Sequence, residues 1–237
     1  MYNILQIYLK EFRSYFNGPM AYIFLVIFSL VNGYFFSNTF FIFGQSDMRA
    51  LFQIVPLVYL FFIPAITMGI ISKEKNTGTM EVICTLPIRD HEFVLGKYFA
   101  AISLLLVGLL LTLIMFCNLI AVGTDIDYGA IFTGYLGLFL AGSVYASMGL
   151  FASSLTDNQV VGFIIAIFFV LVFFLIDKLL IFMPNTIAGT LQYLSIDYHL
   201  SNISRGVIDT RNVVYFFSMI GLFLFLTIES LSSRKWN

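Results

Sequence analysis

Residues 98–122 read YFAAISLLLVGLLLTLIMFCNLIAV, without a single Asp, Glu, Lys or Arg. A helix needs about 20 mainly apolar residues, at about 1.5 Å each, to cross a hydrocarbon layer of about 30 Å. In lipid every backbone N–H and C=O must be paired within the segment, which a helix does without partners, so the run reads as a transmembrane helix. Five more apolar runs flank it, at 20–43, 51–71, 130–152, 160–182 and 213–231. The expected fold is an all-α integral membrane protein of six spans forming one domain over 1–237. Composition agrees: the 237 residues are 60% hydrophobic and only 11% charged, against about 25% charged in soluble domains. Such a chain needs the lipid bilayer as its main partner. Its net charge of -1 excludes a nucleic-acid partner, which requires a basic face.

Residues 1–17 lack the apolar centre and small-residue cleavage site of a cleavable leader. They form an amphipathic pattern instead. Ile4, Leu5, Tyr8, Leu9, Phe12, Tyr15 and Phe16 share one helical face and Asn3, Gln6, Lys10, Arg13, Ser14 and Asn17 the other; Ile7 and Glu11 blur the division. The expectation is a helix lying along the membrane surface, ended by Gly18-Pro19. Within the spans, Pro56 and Pro64 are expected to kink the second run. Gly134, Gly137, Gly142, Ser143, Ala146, Ser147 and Gly149 let other helices approach the fourth closely. Asn32 and Asn38, in the first span, either line a substrate path or hydrogen-bond between helices. Glu229, near the end of the sixth, is expected at the interface.

Six spans place both termini on one side. Lys10, Arg13, Lys73, Lys75, Arg89, Lys97, Arg234 and Lys235 fall on that side; Arg49, Lys178, Arg205 and Arg211 fall on the other. The excess of basic residues puts the termini and the 72–97 loop in the cytoplasm.

Several chemistries have no residues to carry them. Gly96-Lys97 is followed by Tyr98 and lacks the upstream glycine of a phosphate loop. His91 and His199 fall on opposite sides, which leaves no zinc pair and no Ser-His-Asp set. Asp177 adjoins Lys178 at the outer boundary, where a local ion pair is expected. Cys84 and Cys117 read as separate structural thiols. The chain is therefore expected not to be an enzyme, and to bind no metal or cofactor itself.

Two loops are too long to be plain turns. Ser72-Lys73-Glu74-Lys75-Asn76-Thr77-Gly78-Thr79 leaves span two, breaks at glycine and enters a short helix with Met80, Ile83 and Leu86 on one face, ended by Pro87. Asp90 is placed to cap the next helix, with Glu92 in its first turn. The result is a helical elbow offering a small apolar knob ringed by charge, suited to a soluble partner. In the second loop, 183–212, the stretch 193–211 is amphipathic and rich in Tyr and Leu, fit for the interface or a re-entrant hairpin. Asp197, Arg205, Asp209 and Arg211 there are able to pair locally.

Glu74, Gly78-Thr79, Glu81, Leu86-Pro87 and Lys97 in this order, together with the leading surface helix, the six spans and Ser153-Ser154-Leu155-Thr156-Asp157-Asn158-Gln159, resemble the ABC-2 type transporter permeases over essentially the whole chain. The outer string Ser195-x-Asp197-Tyr198-His199 and Arg205-Gly206-x-Ile208-Asp209-x-Arg211 is similar to the sub-group holding the gliding-motility permease and the nitrous-oxide-reductase copper-maturation permease, the gliding-motility type first. The resemblance implies a half-transporter in a bacterial inner membrane. It pairs with a second permease copy, identical or homologous, and is driven by a dimer of separate ATPase subunits that bind ATP and magnesium. An auxiliary envelope or motility protein is a further expected partner. Coupling residues would be Glu74, Gly78, Thr79, Glu81, Leu86 and Pro87; Asn32, Asn38, Asp197, His199 and Arg205 would serve the path or its outer gate. The alternative is a membrane scaffold of a motility or secretion machine that moves no substrate.

Overall fold

The computed structural model describes residues 2–42, 48–85, 87–123, 126–180, 189 and 191–233; the side chains of 42 and 84 lie outside the description. Leu86, and the basic residues Arg234 and Lys235, also fall outside it. Ten α-helices account for most of the described residues, and no strand occurs among them. They are α1 (Tyr2–Asn17), α2 (Met20–Ser37), α3 (Arg49–Thr67), α4 (Ser72–Asn76), α5 (Thr79–Thr85), α6 (Asp90–Val122), α7 (Tyr128–Leu155), α8 (Gln159–Leu179), α9 (Ile196–Ile203) and α10 (Thr210–Ser232). Asn38–Ile42 continue α2 as a π-helical turn.

Six stretches are long and apolar enough to cross a membrane: Met20–Phe41, Arg49–Asn76, Asp90–Val122, Tyr128–Leu155, Gln159–Leu179 and Thr210–Ser232. Helix starts follow local chemistry. Asp127, Asn158, Ser195 and Asp209 each accept a backbone N–H from the first turn of α7, α8, α9 and α10, as capping side chains do. At α6 the expectation is corrected: Arg89, not Asp90, holds the cap position, and Glu92 reaches back to accept the Arg89 N–H at 3.2 Å.

Helix α7 is the axis of the bundle, its hydrophobic window 83% buried. Its small residues are the points of approach. A methyl group at Gly142 would sit 2.8 Å from Leu105 Cδ1 and one at Gly137 2.9 Å from Leu200 Cδ1, while at Gly134 it would collide with the Phe52 ring. The helix runs on through Ser153 and Ser154, so the link to α8 is only Thr156–Asn158. Pro56 and Pro64 are both buried inside α3; the helix breaks beyond them, at the turn Met68–Ile71.

Candidate functional site: a braced elbow

The break after α3 leaves buried amides that the helix no longer satisfies. Ser153 of α7 takes them over. Its Oγ accepts from Ile71 N at 3.1 Å and Ser72 N at 3.0 Å, and donates to Met68 O at 2.8 Å. Lys75 Nζ donates to Ser154 O, and Ser230 of α10 donates to the same carbonyl at 3.4 Å. The Ser153-Ser154 pair therefore ties the exit of α3 to the ends of α7 and α10. Ser153→Ala is expected to leave two buried amides unpaired, a loss of about 2–4 kcal/mol. Deuterium exchange of peptides over 68–76 in the detergent-solubilised protein checks this, and unchanged protection there contradicts it.

Lys97 is the second brace. It lies on α6 with only 1% of its side chain exposed, yet carries a charge, and burial of an ammonium is tolerated only with partners. Its Nζ sits 3.0 Å from Glu11 Oε1 of α1, 3.0 Å from Glu74 Oε1 of α4 and 2.7 Å from Ile70 O, with the Phe93 ring centroid at 4.9 Å. One cation thus joins three elements. The other Glu74 oxygen, Oε2, is buried with no hydrogen-bond partner among the described residues.

Helix α1 lies on α6 along a stripe that includes the residues that blurred its amphipathic pattern. Asn3 donates to Glu92 at 3.0 Å, Ile7 packs so tightly on Gly96 that a methyl group there would meet it at 2.8 Å, and Glu11 reaches Lys97. Tyr8 accepts from Ser103 at 3.3 Å. Lys10, Arg13 and Ser14 stay exposed. The Tyr15 hydroxyl is buried without a partner among the described residues, and that burial, with the Glu11 carboxylate adding to it, pushes the phenol well above its ordinary value.

The elbow residues divide into an inner and an outer set. Glu74 is turned inward, 15% exposed, and holds Lys97 rather than offering its carboxylate outward. Gly78 has φ +70° and open space around it, a backbone setting that favours glycine. Thr79 Oγ1 donates back to Glu74 O at 3.2 Å and lies 3.0 Å from Thr77 Oγ1, which closes the turn between α4 and α5. On α5, Met80 and Ile83 pack against the chain's own core, so these two members of the expected apolar knob face mainly inward. Glu81, Val82, Thr85 and Pro87 face outward.

At the opposite end, α9 is wedged beside α7, α8 and α10. His199, 2% exposed, stacks on Tyr215 at 3.9 Å, with Nδ1 2.7 Å from Asn212 Oδ1 and Nε2 3.0 Å from Tyr193 O. It acts as a packing pin of α9 on α10. Asp197 pairs with Lys178 at 2.6 Å, and Asp177 lies 3.6 Å from the same ammonium. The expected cluster within 197–211 does not form: among the described residues, no ion pair joins Asp197 or Asp209 to Arg205 or Arg211. Asp209 serves instead as the α10 cap, accepting from Arg211 N at 2.9 Å.

In the first span, Asn32 Nδ2 donates to Phe28 O at 2.7 Å, while its Oδ1 is buried without a partner among the described residues. Asn38 donates to Tyr34 O at 3.0 Å. Among the described residues both Nδ2 groups therefore donate within their own helix and not between helices. Sequence reasoning missed Glu11 and Ser153 as structural hubs. Glu11's lone polarity beside an apolar face was the available signal.

A bundle of six apolar helices with a braced elbow at one end defines a polytopic α-helical membrane protein. Residues 34–231 match the family described as ABC-2 family transporter protein, and the chain belongs to that family. It is accordingly a membrane component of a transporter and not itself a catalytic subunit. No curated protein matches the chain.

Proposed function

We propose that the chain is the permease subunit of an ATP-driven transporter whose separate ATPase subunits dock on the outward face of α5. The observation that carries this reading is the division of the elbow. Glu81, Val82 and Thr85 are exposed on a seven-residue helix, while Glu74 behind it is bonded through Lys97 to α1 and α6. A push on α5 is then delivered to α6 and, through Ser153, to α7. Coupling of this kind is a population shift carried by mechanical contact, and requires no catalytic residue in this chain. In this reading Glu81 and Val82 meet the ATPase, Gly78 and Thr79 form the joint, and Glu74 transmits.

Two copies, identical or homologous, enclose the path, with ATP and magnesium held by the ATPases. The basic residues favour cytoplasmic termini and elbow, in a bacterial inner membrane. The outer string around Asp197 and His199 favours service in gliding motility. The test is a mild-detergent purification of the tagged chain, wild type and Glu81→Arg/Val82→Asp, from its native membrane. A phosphate-loop ATPase recovered in near-equal amount with the wild type, and lost from the variant, is expected. Motility or envelope proteins recovered without any ATPase would instead make the chain a scaffold.

A further inference from the structure

The long helix α6 carries two grooves on one face. The first, of about 420 Å³, lies between α1 and α6 and is lined by Ile4, Leu5, Tyr8, Phe99 and Ser103. The second, of about 290 Å³, lies between α6 and α7, with Leu106, Leu110 and Leu113 on one wall and Phe132, Leu136 and Phe139 on the other. Phe99, Ser103, Leu106, Leu110 and Leu113 follow one another at spacings of three and four, which sets them in a single row along the helix. The grooves therefore lie end to end. At 1.5 Å per residue the row from Phe99 to Leu113 is about 21 Å long. Half of a hydrocarbon core of about 30 Å is about 15 Å, so the row is long enough for a whole acyl chain. Phe99, Leu106 and Leu110 are exposed, and the row opens sideways to the bilayer.

The elbow end of the row supplies the polar contact. Phe99 lies two residues beyond Lys97, whose ammonium is tied to Glu11 and Glu74, so the first groove starts where the span gives way to the charged elbow. Tyr8 stands there, as tyrosine does at membrane–water interfaces. Its hydroxyl accepts from Ser103 at 3.3 Å, and its own proton has no acceptor among the described residues. One O–H donor at the mouth of an apolar slot matches the ester and phosphate oxygens of a phospholipid, which accept hydrogen bonds, with the hydrocarbon chain following behind. Size separates this occupant from a helix of a second copy. One helical turn, about 10 Å across and 5.4 Å tall, fills about 420 Å³, more than the whole second groove holds.

We propose that the row of grooves on α6 is a phospholipid site: one acyl chain lies along Phe99, Leu106 and Leu110 as far as Leu113, and the Tyr8 hydroxyl donates to the ester or phosphate oxygens at its elbow end. The bound lipid fills the seam between the surface helix α1 and the span on which α1 rests. The site stands whether or not an ATPase docks on the elbow.

The test titrates the purified full chain in detergent with dipalmitoyl and with dihexanoyl phosphatidylglycerol, which share a headgroup and differ in chain length. Native mass spectrometry counts bound molecules in the wild type, Leu110→Trp, Tyr8→Phe and Phe217→Trp, the last at an exposed apolar position of α10. Melting without lipid verifies that each variant is folded. The wild type and Phe217→Trp are expected to take up one dipalmitoyl lipid saturably, at least about a hundredfold more tightly than the dihexanoyl one. Leu110→Trp should weaken it at least about tenfold by filling the row, and Tyr8→Phe about two- to tenfold, the size of one hydrogen bond. A dipalmitoyl lipid with a diazirine at its chain end should label peptides holding 106–113 or 132–139 first. Equal affinity for the two lipids, no saturable molecule, or either variant binding like the wild type overturns the proposal. So does a dimer that Leu110→Trp separates, which would assign this face to a second copy of the chain.

Discussion

Lys97→Met is expected to be among the most damaging substitutions in the chain, lowering stability by about 3–5 kcal/mol, the range for removing one member of a buried ion pair. The reason is what it leaves behind. Glu11 and Glu74, 17% and 15% exposed, would face a common space with no cation between them, and Ile70 O would lose its donor. Stability should recover largely in the triple variant Lys97→Met/Glu11→Gln/Glu74→Gln, because neutral groups there leave no unpaired charge. Two measurements check this in detergent: the melting temperature, and the rate of tryptic cleavage at Lys10 and Arg13, which rises when α1 leaves α6. A Lys97→Met protein that melts and resists trypsin like the wild type would mean that the triad does not hold the elbow together. The same variant separates docking from transmission. The α5 surface is untouched, so on the proposed reading the ATPase still co-purifies while its activity no longer responds to the permease.

Much of the architecture was written in local patterns. Apolar run length placed all six spans, and the glycines of α7 marked it as the helix others approach, because both signals need only nearby residues. What stayed hidden depends on contacts distant in sequence. Glu11 looked like a flaw in an amphipathic helix, and its meaning appears only when Lys97 arrives 86 residues later. Ser153 lies just beyond the fourth apolar run as the sequence draws it, yet it is helical and repairs a break 82 residues earlier. Glu74 illustrates a different failure. The charged exit of span two suggested a docking surface, but which charges face outward follows from how α4 packs, and periodicity over five residues cannot fix that.

Gly149→Val is expected to cost at least about 3 kcal/mol, the upper range for overpacking a well-filled interior. Any side chain at 149 collides with Thr67 Oγ1 and would come within 2.8 Å of Thr67 Cβ. Thr67 has nowhere to go: it is fully buried, β-branched and therefore stiff, and its hydroxyl donates to Ile63 O at 2.9 Å. It is also the last residue of α3 before the turn Met68–Ile71, so displacing it drags on the amides that Ser153 satisfies one turn further along α7. The damage should therefore spread from a single contact to the whole joint between span and elbow, with deuterium exchange over 68–76 rising together with the fall in melting temperature. Gly221→Ala supplies the contrast. Gly221 lies inside α10 with open space around it, and alanine there should stabilise by about 0.5–1 kcal/mol through helix propensity alone. If both glycine variants melt like the wild type, α3 and α7 do not touch at Thr67 and the brace at the elbow is looser than its hydrogen bonds imply. If only Gly149→Val falls, the close crossing of these two helices is what lets the break after α3 be repaired from α7.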